Sequence, residues 1–112
     1  MSLPPASIED LLPAIARQVA AAAESDRELV EASGVLSTLR NQLIRQIDAL
    51  LTHRRELLMS VLYRVDVRES LVIDAFQNVP LGDLASRLAD LIIERQVEKV
   101  RSRRAFRDNT SE

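Results

Sequence analysis

Apolar residues recur along most of this chain at spacings of three and four, the pattern of helices that each bury one face. Ile8, Leu12, Ile15 and Val19 form the first such stripe. Ser7 precedes it and Glu9 and Asp10 follow, an N-cap with acidic residues at the positive end of the helix dipole. Pro13 falls too late for the first helical position, so it predicts a kink or a later start. Ala20 to Ala23 offer a smooth surface against which another helix can pack closely.

Ser25-Asp26-Arg27-Glu28 has the spacing of a capping box and predicts a second helix start. From there Leu29, Leu36, Leu39, Leu43, Ile47, Leu50, Leu57, Val61 and Val65 keep one phase, with Ile44, Leu51, Leu58 and Leu62 beside them. The phase survives Gly34, which fits an interior kink as well as a C-cap. A helix unbroken from about 26 to 65 would be ~60 Å long. That exceeds what a compact monomer accommodates, since its radius of gyration should be ~13 Å.

Asp66-Val67-Arg68-Glu69 repeats the cap-and-Glu spacing and predicts a short helix over about 67–78. Its apolar residues Leu71, Val72, Ile73, Ala75 and Phe76 surround it, so it should be largely buried. Asn78-Val79-Pro80 marks the next break, and a last helix over about 81–106 would be ~40 Å long. That helix carries two apolar stripes. One is Leu81, Leu84, Leu88, Leu91 and Ile92; the other is Ala89, Ile93, Val97 and Val100, and the pair predicts at least two neighbouring helices. Residues 1–6 read as a flexible leader and 107–112 as a frayed polar tail. The expected fold is all-α: one domain over 1–112, a helical bundle of about four helices. Two of these are long and coiled-coil-like, in an elongated protomer completed by dimerisation.

Composition narrows the chemistry. Cysteine is absent, which excludes disulfides and thiolate metal sites, and aromatic residues make up 3%, too few for a sandwich or barrel. No apolar run reaches the roughly 18 residues of a membrane span. The start of the chain lacks the basic and apolar regions of a secretory signal, so a cytoplasmic location is expected. Net charge is −2, divided as −3 over residues 1–50 and +1 over 51–112. No glycine-rich phosphate loop, nucleophile elbow or paired metal motif occurs. His53, the only histidine, has no ligand-like neighbour in sequence. The expectation is a non-enzyme with no cofactor.

Three groups of residues are candidates for function. Arg101, Arg103, Arg104 and Arg107 at the C-terminal end could contact phosphates, although Glu94 and Glu98 interleave the basic run and cations also suit a helix C-terminus. On the helical wheel Arg54 falls inside the apolar stripe. A charge there could set register if paired with Glu31, Asp90 or Glu94. Met59 and the only tyrosine, Tyr63, lie almost opposite the stripe. The expectation is that helix 67–78 or the last helix covers them; left exposed, they form a partner surface with Ile93, Val97 and Val100. The expected function is protein–protein interaction or oligomerisation, as a homodimer or with another cytoplasmic protein. A nucleic-acid-associated regulator is the alternative.

Overall fold

The computed structural model of the protein describes residues 7–24 and 28–110, with side chains described over 7–22 and 34–103. The described residues form five helices and no strand: α1 (Ile8–Glu24), α2 (Glu28–His53), α3 (Arg55–Val65), α4 (Glu69–Asn78) and α5 (Leu81–Thr110). The all-α expectation holds. No described helix is long and apolar enough to cross a membrane.

Ser7 starts α1 as expected. Its carbonyl accepts the Asp10 and Leu11 N–H groups at 3.0 Å, and its hydroxyl donates to the Asp10 carboxylate at 3.0 Å. The helix then continues through Pro13, which is exposed. Pro13 has no N–H for the Glu9 carbonyl, so α1 forgoes one internal bond on its solvent side. Gly34 sits inside α2 rather than ending it, with open space where a Cβ would stand. The capping box lies outside the described residues at 25–27.

The predicted 26–65 helix is divided. Arg54 adopts φ −146° and ψ 63°, donates its N–H to Leu50 at 2.7 Å, and accepts from Leu57 and Leu58 at 3.1 and 3.3 Å. One residue thus closes α2 and opens α3. The bend lets both halves of the stripe reach the same core: Leu43 and Ile47 of α2 and Leu58 and Val61 of α3 are completely buried. On a straight helix of ~60 Å the second half would run past its neighbours. The radius of gyration is 15.2 Å and the molecule measures 50 × 40 × 21 Å, a flat body rather than a rod.

α1, α2 and α5 pack against one another in pairs, α4 lies on α5, and α3 touches α2 and α5. Ile8, Leu11, Ile15, Val19, Leu84, Leu88, Leu91 and Ile92 join the α2 and α3 residues in a single core. With four neighbours, α5 meets the expectation from its two stripes. Ile93, Val97 and Val100 are half-buried against this core, so the second stripe is used within the chain. Helix α4 departs from expectation: Val72 and Ala75 are buried, but Ile73 is 47% exposed. Helix α5 continues past Phe106, to Thr110.

Pro13→Ala restores one helical hydrogen bond at an exposed site without touching the core. It should raise unfolding stability by about 1–3 kcal/mol, measured by urea denaturation followed by circular dichroism.

Candidate functional site

Tyr63 is 86% exposed and Met59 43% exposed, one turn apart on α3. The expectation that helix 67–78 or the last helix covers them is overturned. The cause is the bend at Arg54. It turns Leu58, Val61, Leu62 and Val65 into the core, and side chains on the opposite face of an 11-residue helix must then point outward. Arg64, next to Tyr63, pairs with Glu9 of α1.

The far end of α3 is fixed by backbone and charge together. Asp66 sits in the left-handed region at φ 67°, the one non-glycine residue with positive φ among the described residues. Its N–H donates to Tyr63 O at 3.0 Å, and the Val67 N–H donates to Leu62 O at 3.2 Å. This is a Schellman closure, with Val67 and Leu62 both buried as its apolar contact. The expectation of Asp66 as an N-cap is corrected: it ends α3, and α4 begins behind Arg68, which makes no side-chain cap bond.

Helix α5 supplies the remaining contacts. Lys99 Nζ donates to Val65 O at 2.8 Å, and Arg95 Nη2 pairs with the Asp66 carboxylate at 3.0 Å. Cations at the C-terminal end of α3 meet the negative end of its dipole. Arg95 Nη1 also pairs with Glu98 at 3.2 Å on its own helix, while Arg95 Nε is buried with no partner. Beside this contact is a cleft of about 240 Å³, lined by Asp66, Val67, Arg68, Leu71, Leu91, Glu94, Arg95 and Glu98.

Arg54 is not inside an apolar seam. It is exposed at the α2–α3 joint and makes no ion pair among the described residues. The wheel assumed an unbroken helix, and the bend removes that phase. Asp90 instead takes Arg40 of α2 in a two-pronged pair, Nε at 2.7 Å and Nη2 at 3.2 Å, with Nη2 also donating to Ser86 at 2.8 Å. Glu94 is exposed, and the Glu31 side chain lies outside the described residues. His53 lines an open hollow of about 630 Å³ with Arg54, Arg55, Glu56, Leu57 and Ser60. The Arg55 guanidinium stands 5.7 Å from the Phe76 ring centre, within cation–π range. Arg101 and Arg103 are exposed, and the Arg104 and Arg107 side chains lie outside the described residues.

Hydrogen bonds donated to Asp90 and to Glu9, reinforced by the charge of each carboxylate, push the Arg40 and Arg64 guanidinium pKa values upward. A raised arginine pKa contributes stability that is lost only as pH climbs through that raised value. Neither arginine therefore adds pH dependence near neutrality. Sequence reasoning missed Arg40, Arg95 and Lys99 as organising residues because each acts across helices that are distant in sequence. The Asp66 signal was present, since Asp is one of the few non-glycine residues that tolerates the left-handed region.

The closure makes a paired prediction in urea unfolding. Asp66→Gly should stay within about 0.5 kcal/mol, because relief of the left-handed backbone offsets an exposed ion pair. Asp66→Val should cost about 1–2 kcal/mol or more, since a β-branched residue resists positive φ. No family model, curated protein or solved structure matches this chain.

Proposed function

We propose that this chain is a non-enzymatic helical module for protein–protein interaction or oligomerisation in the cytoplasm, and that its contact surface is the Met59–Tyr63 face of α3. The observation that carries this reading is the 86% exposure of Tyr63 on a helix whose opposite face is fully buried. A tyrosine ring gains from burial while its hydroxyl keeps a hydrogen bond, which is why tyrosine suits the centre of an interface. Met59 adds an adaptable apolar contact one turn away. Among the described residues the other exposed large apolar side chains, Val35, Ile73 and Leu81, lie on three different helices.

A second copy of the chain is the partner proposed first. Helix length and the two stripes of α5 do not support a dimer, because the bend shortens the long helix and Ile93, Val97 and Val100 pack within the chain. The dimer rests on the α3 face instead. Light scattering at micromolar concentration should give a mass near twice 12.6 kDa. The double variant Met59→Ala, Tyr63→Ala should return the mass to one chain with unchanged helical circular dichroism. A monomeric wild type rejects the homodimer.

The second reading, phosphate binding by the end of α5, is favoured by the exposure of Arg101 and Arg103. Against it, Lys99 and Arg95 are engaged with α3 and the α3–α4 turn. If it holds, a labelled duplex or RNA binds with an affinity that falls steeply as salt rises. Arg101→Ala, Arg103→Ala and Arg104→Ala together then abolish the binding; unchanged binding rejects these residues as the contacts.

A further inference from the structure

We infer that Lys99 and Arg95 form a charge latch on the last turn of α3, and that this latch opens locally, at the Asp66 and Val67 amides, while the rest of the bundle stays folded. The latch is defined within one chain. The latch holds the only tyrosine in the sequence from two sides. Tyr63 O accepts the Asp66 N–H, while Asp66 and Val65 are gripped in turn by Arg95 and Lys99. These contacts sit at the C-terminal end of the helix, beside the buried side chains of Leu62, Val65 and Val67.

The closed state carries built-in costs. Arg95 commits both terminal nitrogens, one to Asp66 and one to Glu98, and leaves Nε buried and unpaired. A buried donor without an acceptor forfeits the bond it would make in water. Asp66 holds a left-handed backbone that asparagine and aspartate tolerate less well than glycine.

An open state has what it needs. Glu98, three residues ahead on the same face of α5, keeps Arg95 paired if Asp66 is released. The 240 Å³ cleft beside the contact gives the guanidinium room to swing, which brings Nε to water. Closed and open arrangements thus exchange one set of satisfied charges for another, the condition for a two-state element that a partner can bias. Screening weakens the Asp66–Arg95 pair, which is partly exposed, so salt moves the equilibrium toward open.

Lys99 is the only lysine in the chain, so its role can be tested cleanly. Hydrogen–deuterium exchange of the full chain reads local opening at the Asp66 and Val67 amides, the two donors of the closure. Lys99→Met should speed exchange at these amides by about ten- to a hundredfold, the loss of one hydrogen bond to a charged donor. Lys99→Arg, which keeps the charge, should stay near wild type, and amides in the middle of α1 and α2 should not change. Raising salt from about 0.05 M to 1 M should move wild type in the direction of Lys99→Met. Unchanged exchange at Asp66 and Val67 in both Lys99→Met and the double variant with Arg95→Met overturns the latch. Equal acceleration at α1 and α2 amides also overturns it, since Lys99 would then be a general prop. Exchange is read without a partner, so these outcomes are independent of whether the Met59–Tyr63 face binds anything.

Discussion

The structure turns on one constraint: Leu58, Val61, Leu62 and Val65 must be buried in the same core as Leu43 and Ile47, although a straight helix would carry them out of reach. Fully burying an aliphatic side chain is worth roughly 1.5–3 kcal/mol. Four such side chains outweigh the few backbone hydrogen bonds interrupted at Arg54, each worth about 1 kcal/mol net. The helix therefore bends, and the flat body of five helices follows. Arg55 over Phe76 ties the start of α3 to α4, which itself packs on α5.

The bend also decides which surface is left over. Once one face of α3 is fixed inward, Met59 and Tyr63 are on the other, and the C-terminal end of α3 arrives beside α5. Two cations of α5 then meet a helix terminus that needs them. Contacts of this kind are individually modest, since exposed ion pairs contribute about 0–1 kcal/mol. Their importance is positional: Arg40–Asp90 joins α2 to α5, Arg64–Glu9 joins α3 to α1, and Arg95–Asp66 joins α5 to the α3–α4 turn. Between them they join α1, α2, α3 and α5.

Much of the fold was legible from periodicity and caps. The start of α1 at Ser7, the break at Val79-Pro80 and the several neighbours of α5 all follow from local signals. The bend at Arg54 did not, because Thr52-His53-Arg54-Arg55-Glu56 contains neither glycine nor proline. A weak hint stands just before it: the Thr52 hydroxyl bonds back to the Asp48 carbonyl at 3.0 Å, a contact that often bends helices. Missing the bend misplaced Arg54 and made Asp90 one of its three candidate partners, whereas Asp90 pairs with Arg40. It also suggested cover for Tyr63 that the fold does not provide. Asp66 was misread because its spacing to Glu69 fits a cap, whereas the Schellman closure depends on backbone conformation and on Val67 and Leu62 burying together. Charge pairs between α5 and the α3–α4 turn have no local sequence signature at all.

The bend is tested most directly by backbone nuclear magnetic resonance. Cα chemical shifts should be helical over Glu28–His53 and Arg55–Val65 and interrupted at Arg54, with methyl contacts between α3 and α5. Helical shifts running unbroken through Arg54, without α3–α5 contacts, would contradict the account.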